Sequence, residues 1–479
     1  MNIVATRPLL LNMVFLGASR ISSASMNLVT TSYLATTLGT ANFGINSFAA
    51  AYVSYFLVFV ALGYDSYLTR EIGHRPARMQ VLVSSAISVR LLLAICVTVL
   101  MACSLFLIDI SALGKLVVLI QGLAFFGSTI NLSCVYQGLQ RMHITAGRET
   151  LASFCNLSGT LLLVHGPADL PIAAGVGAGA LMLTQFLVFV QYVRDFGWPS
   201  IYIPGRRDFA HAGRSMAFFW VMLMGAVTLN TPVVLLGLMR TEAEVGLFAA
   251  GWKVLMFAIT APTLISALFL PRFARLTDQR TEKLREAGLF METILLFTIP
   301  LSLLGIALTP QIVLSLFGPQ YLPASDIIAL LLLDGLVISI NIALSTPLMA
   351  GRRQKDALRI VARGAVVGVL MNLSFIPVWG ATGAALGILI GETVILTLLM
   401  MDHPEVPVGA ALSFALRCFV AVIPAGLVAH FATTPAWISA APVVALVVGG
   451  SAGGAFYLAM LWPLRVDVIR LARGLRGMR

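Results

Sequence analysis

The segment FLGASRISSASMNLV (residues 15–29) sets the first question, because Arg20 stands inside the first long apolar run, with Asn27 seven residues further on. If that run crosses a membrane, a charge near its centre costs about 2.5–3.5 kcal/mol on insertion scales and needs a physical reason. The rest of the chain says that it does cross. Of 479 residues, 59% are hydrophobic and 11% charged, against roughly 25% charged in soluble domains. Mean hydropathy is +0.95. The run is too long for the apolar part of a signal peptide, and its flank carries one arginine, Arg7, so it reads as a retained helix. Apolar segments of about 20 residues, without strand-like alternation, exclude a β-barrel.

A window of about 20 residues predicts fourteen transmembrane helices, at 9–33, 44–64, 80–107, 115–138, 149–166, 171–192, 214–238, 246–270, 287–309, 324–349, 359–377, 381–401, 408–430 and 440–462. With the N-terminus in the cytoplasm, 24 of the 31 Lys and Arg residues fall in inside segments and two, Lys115 and Arg240, outside. Arg20, Arg90, Lys253, Arg363 and Arg417 fall within helices. Such asymmetry is the positive-inside pattern and predicts cytoplasmic termini. It also explains the net charge of +11 as a topology signal, so no nucleic acid is expected as a partner. The basic tail RVDVIRLARGLRGMR (465–479) is expected on anionic headgroups.

Several chemistries are excluded. The outside loops are short pieces such as ATTLGTANFG and LIDISALG, without the DxD or large domain of a polytopic glycosyltransferase. No phosphate-binding GxxxxGK[ST] loop and no TVGYG-like filter occurs. The five cysteines, Cys96, Cys103, Cys134, Cys155 and Cys418, lie in apolar segments without metal-ligand spacing. No cofactor or metal is expected, and the chain does not read as an enzyme. A secondary transporter, a flippase or a structural membrane protein remains.

At 3.6 residues per turn, Asn12, Ser23, Asn27, Thr30 and Thr31 fall within about 100° of Arg20, a polar stripe that must face protein or water. The deep charges are Arg20, Arg90, Lys253 and Arg417 against Asp334 and Glu392, so the N-terminal half supplies two arginines and no deep acid. One reading is pairing that fixes helix packing. The other is a water-filled cationic cavity for an anionic headgroup, where the planar fork of arginine suits phosphate. Asp334 and Glu392 either pair with bases or hold a coupling cation. The amides Gln121, Asn131, Gln137, Asn156, Gln185, Asn230 and Asn341 read mainly as interhelical hydrogen bonders. Helices one and seven start on the same side, and TANFGINSFAAAY resembles TEAEVGLFAAGWK, which suggests two parallel repeats.

The stretch YLATTLGTANFGINSFAAAYVSYFLVFVALGYDSYLTREIG resembles the first helices of bacterial polysaccharide flippases. These form the Wzx-like O-antigen and exopolysaccharide branch of the multidrug/oligosaccharidyl-lipid/polysaccharide superfamily. The matching elements are Leu38-Gly39, Phe43-Gly44, Leu62-Gly63 and Arg70-Glu71-Ile72. VGLFAAGWKVL, LFLPRFARL, FGPQYLPAS, MAGRRQK and NLSFIPVWGATGAALGILIGE follow in the family's order, over roughly residues 8–400. The resemblance implies two six-helix lobes facing a central cavity. These would be an N-lobe at 1–192 and a C-lobe at 214–401, joined by a cytoplasmic loop at 193–213. Helices thirteen and fourteen would be an addition at 402–462. It implies a bacterial inner-membrane protein that moves undecaprenyl-pyrophosphate-linked oligosaccharide to the outer leaflet for lipopolysaccharide O-antigen, exopolysaccharide or capsule assembly. A polysaccharide polymerase and chain-length proteins are then possible partners. Arg20, Asn27, Arg90, Lys253 and Arg417 would meet the substrate. Where family members often carry an Asp followed by a base in helix seven, this chain has Thr231 and Pro232 within LNTPVVLLG. Alternatives are a lipid II flippase, a multidrug exporter of the same superfamily, and a non-transporting scaffold of polysaccharide assembly.

Overall fold

A computed structural model describes residues 6–276, 280–350, 353–401, 408–434 and 441–464, without the side chains of 6–16, 18, 280 and 408. The basic tail, and the side chains of Arg7 and Asn12, lie outside this description. The described residues form helices and turns with no strand among them. In chain order the α-helices are α1 (Thr6–Ala61), α2 (Tyr64–His74), α3 (Met79–Ser104), α4 (Ala112–Gly122), α5 (Ala124–Thr129), α6 (Ser133–Gly138), α7 (Met142–Leu163), α8 (Leu170–Phe196) and α9 (Arg206–Met239). They continue as α10 (Glu242–Ala258), α11 (Thr260–Arg275), α12 (Arg280–Ala307), α13 (Thr309–Leu316), α14 (Ser325–Ala350), α15 (Gln354–Met401), α16 (Val408–Ala432) and α17 (Pro442–Leu461).

Eleven helical segments among the described residues are long and apolar enough to cross a membrane. Two of them, containing α1 and α15, each hold two spans, and the more polar α7 is the remaining one, which gives the fourteen spans expected. Two of the expected connections are turns at a single glycine. Instead of a loop at 34–43, α1 bends at Gly39, with φ 78 and ψ 171. The chain reverses at Gly380 of α15, with φ 55 and ψ −130, in the gap expected between the spans at 359–377 and 381–401. Both conformations belong to glycine, because a Cβ would clash with the backbone there. The chain packs into two compact units, Met1–Gly246 and Leu247–Arg479.

In the first unit, the expected fourth helix at 115–138 is three pieces, α4, α5 and α6. Its break at 130–132 is closed by the Asn131 side chain, which accepts from the Ser133 amide at 3.3 Å. Such local side-chain bonding competes with the helix ladder. Leu62 and Gly63 have φ values of 47 and 71 and turn α2 away from α1. The Leu62 carbonyl freed by this break accepts from Ser215 Oγ of α9 at 2.7 Å. A Cβ on Gly63 would collide with the α9 backbone at Ser215 and Phe219. Tyr64, Tyr67, Leu68 and Ile72 of α2 bury themselves with Val83 and Ile87 of α3, Val135 and Tyr136 of α6, and Tyr192 of α8. Residues 197–205 run without helix along α3, where Ser84 Oγ accepts from the Ser200 amide at 3.0 Å and Ser88 Oγ from the Tyr202 amide at 3.2 Å. This places two serines, one turn apart, in an apolar span for a reason: they satisfy the backbone of a connecting strap.

In the second unit, Phe269 and Phe273 of α11 and Phe290 of α12 form a buried aromatic cluster. Arg272 lies over Phe269 and pairs with Glu286 at 3.1 Å. The two halves of α15 run antiparallel and touch through glycines. A Cβ on Gly364 would strike Ile395 and the Gly391 carbonyl, and one on Gly391 would strike Gly368. This is small-residue packing of the kind that lets membrane helices approach closely. The last two spans, α16 and α17, join the same core. Gly449 and Gly453 of α17 sit against Ala425 and Ala429 of α16, and Tyr457 Oη donates to the Leu296 carbonyl of α12 at 3.2 Å.

Candidate functional site

Arg90 lies midway along α3 and is 1% exposed. Its Nη2 donates to Asp65 Oδ1 of α2 at 2.8 Å. Weaker contacts run from Nη1 to the Asn131 carbonyl at 3.4 Å and from Nη2 to the Ala61 carbonyl at 3.5 Å. The guanidinium also lies 5.5 Å from the Tyr64 ring centroid. Arg90 therefore ties together α1, α2 and the broken fourth span, which supplies a free carbonyl because it is broken. Of the two readings of the deep charges, pairing that fixes packing is the one found at Arg90: Asp65, in the first turn of α2 just past the second span, supplies the acid.

The polar stripe on α1 divides in two. Ser19, Ser23 and Thr30 are buried. Ser19 Oγ donates to the Ala146 carbonyl of α7 at 2.8 Å and lies 2.7 Å from Thr150 Oγ1. Further along, Tyr33 Oη donates to the Val164 carbonyl at 2.8 Å. Arg20 and Asn27, two turns apart on the neighbouring edge, are exposed. Among the described residues neither has a hydrogen-bond or ion-pair partner.

Arg20 is about 28 Å along the helix from the Gly39 bend, and Asn27 about 18 Å. Its neighbour Ser19 meets α7 only one to two turns from the start of that helix at Met142.

The second unit gathers the acids. Asp334 is 0% exposed, and neither of its carboxylate oxygens has a hydrogen-bond partner. Asn341, two turns on along α14, donates through Nδ2 to Glu392 Oε2 of α15 at 2.8 Å and to the Glu392 carbonyl at 2.9 Å. The Asn341 Oδ1 is buried without a partner. Asp334 and Glu392 are close enough for their charges to repel. Among the described residues no base pairs with either acid, so of the two roles considered, pairing with a base is not what the structure contains. Lys253 on α10 is exposed and has no partner among the described residues, whereas Arg417 on α16 is exposed and engaged in an interaction.

Other polar residues resolve as packing. Gln121 Nε2 donates to Asn46 Oδ1 at 2.8 Å, which joins α4 to α1. Asn230 donates to Ala226 on its own helix at 2.9 Å. Thr231, where this chain departs from the pattern of the resemblance, is buried and its hydroxyl bonds that of Tyr55. Two groups were missed by sequence reasoning. Asp65 was missed because it falls just past an apolar window, and the Asn131 carbonyl because no Pro or Gly pair announces the break.

A family model described as Polysaccharide biosynthesis protein matches residues 9–277. A Shigella dysenteriae protein named "Putative O-antigen transporter" is 22% identical over 347 residues, covering 71% of this chain and 86% of its own length. Among solved structures, the lipid II flippase MurJ in an inward closed conformation aligns with a TM-score of 0.68 at 15% identity, over 94% of this chain and all of that one. An inward-facing multidrug resistance MATE transporter of the MOP superfamily aligns at 0.58 and 16% identity, over 80% of this chain and 97% of its own. At these identities the structures share the fold. The match to the family model spans more than half of the sequence, and the chain belongs to the polysaccharide biosynthesis protein family.

Proposed function

We propose that this protein is a flippase for a lipid-linked oligosaccharide, carried on a polyprenyl diphosphate, for surface polysaccharide assembly. The helices of 1–192 and 214–401 act as the two lobes of an alternating-access transporter, with 193–213 as their connection and 402–462 as an addition. The charge asymmetry supports cytoplasmic termini in a bacterial inner membrane. The observation that carries the reading is Arg20. In a protein of the polysaccharide biosynthesis family, it is an exposed arginine in a membrane helix with no partner among the described residues. It stands where a diphosphate entering from the basic side would meet it, with Asn27 deeper on the same edge for sugar or diphosphate. Lys253 is a base of the second unit without a partner among the described residues, and Arg417 a further contact. Arg90, held by Asp65, acts by positioning α2 and α3. Asp334, Glu392 and Asn341 serve as the coupling site, since a buried acid pair without a base is tolerated when it holds a proton or a cation.

A deletion strain tests the transport reading. Loss of surface polysaccharide with build-up of the lipid-linked repeat unit on the cytoplasmic side is the expected result. Absence of build-up together with raised drug sensitivity favours a multidrug exporter and overturns it.

A further inference from the structure

We infer that the open end of the α15 hairpin is a binding site for a phosphate group, carried by an anionic membrane lipid. Gly364 and Gly391 hold the two arms of α15 in contact. One turn beyond that contact, a cavity of about 270 Å³ opens, lined by Asp356, Arg359, Ile360, Arg363, Leu398 and Met401.

The charge balance in this cavity is positive. Arg359 and Arg363 are one turn apart on one face of the helix, where like charges repel. The one lining carboxylate, Asp356, is already shared: it accepts from Arg353 Nε at 3.2 Å and lies 3.5 Å from Arg359 Nη1. Arg363 has no partner among the described residues. Paired guanidinium forks match the oxygens of a phosphate. The opposite wall, Leu398 and Met401, is apolar. A basic recess between membrane helices near their basic end, with an apolar flank for acyl chains, is the arrangement that holds anionic headgroups. Along the helix, Arg359 and Arg363 lie about 7 and 13 Å from the start of α15 at Gln354, a depth that a headgroup reaches. A lone arginine reaching for the interface would need neither the second fork nor the recess. The site does not depend on the nature of the transported cargo.

The test uses the full chain, purified and offered phosphatidylglycerol or phosphatidylethanolamine, with lipid retention read by native mass spectrometry. The unsubstituted protein is expected to retain phosphatidylglycerol in preference. Each arginine removed is expected to lower that retention roughly fivefold, so the double variant R359Q/R363Q loses it. Lys355→Gln removes an exposed charge nearby that does not line the cavity, and should leave retention unchanged. Inorganic phosphate, titrated alone by calorimetry, distinguishes the source. Lipid retention without phosphate binding assigns the site to a lipid headgroup, and phosphate binding lost in R359Q/R363Q assigns it to free phosphate. The inference is overturned if neither ligand binds, or if K355Q lowers retention as much as the double variant. If the double variant fails to fold, R363Q alone carries the test, because Arg363 has no partner among the described residues to lose.

Discussion

The Arg90–Asp65 pair predicts an asymmetry between its two members. The Arg90 side chain is 2% exposed and that of Asp65 38%. Replacing Asp65 by Asn leaves a buried guanidinium without its counter-charge, held by a neutral amide oxygen, the Tyr64 ring and the two longer carbonyl contacts at 3.4 and 3.5 Å. Breaking a buried pair in this way costs about 3–5 kcal/mol. Replacing Arg90 by Met removes the buried charge, fills much of its volume, and leaves a carboxylate that water reaches, at a cost of about 1 kcal/mol. With roughly 2–4 °C per kcal/mol for a unit of this size, D65N should lower the melting temperature by about 6–20 °C and R90M by about 2–4 °C. The double variant D65N/R90M should melt close to R90M, since no charge is left stranded. The assay is thermal unfolding of purified protein in one detergent at one scan rate, because membrane proteins unfold irreversibly and the midpoint depends on rate. Equal losses for D65N and R90M, adding in the double variant, would refute the assignment of Arg90 to a buried packing pair.

Three further outcomes follow from the same geometry. Gly364→Val drives a branched side chain into Ile395 and the Gly391 backbone and should destabilise by about 1–3 kcal/mol; an unchanged melting temperature contradicts the tight α15 hairpin. Gly39→Val strains a backbone at φ 78 by about 1–3 kcal/mol, visible as lower yield of monodisperse protein; normal yield and stability count against the one-residue bend. Asp334→Asn removes a buried acid without a hydrogen-bond partner, so the protein should fold and transport should lose its dependence on an ion gradient, measured in vesicles; full retention of that dependence removes Asp334 from coupling.

Much of the fold is written in the apolar runs, because each span must satisfy its own backbone and so reads as a separate helix. The breaks near Gly39 and Gly380 are legible as gaps between spans, at 34–43 and 378–380; that one glycine makes each turn is not. A single glycine in a helical pattern gives no sign that it alone will reverse or bend the chain. The pairing of Arg90 depends on Asp65, which lies beyond the end of a span and returns to it only through the left-handed turn at Leu62 and Gly63. The sequence marked Asp334, Glu392 and Asn341 individually as polar intruders. Their gathering at the facing surfaces of α14 and α15 required the packing of those helices, which no spacing along the chain encodes.

The central claim is tested most directly by translocation in reconstituted vesicles. A fluorescent polyprenyl-diphosphate oligosaccharide is placed in one leaflet, and its appearance in the other is followed by accessibility to a membrane-impermeant quencher. The account predicts translocation that requires the protein and is lost in Arg20→Gln at an unchanged level of folded protein. No translocation above that of empty vesicles, or full translocation by Arg20→Gln, contradicts it.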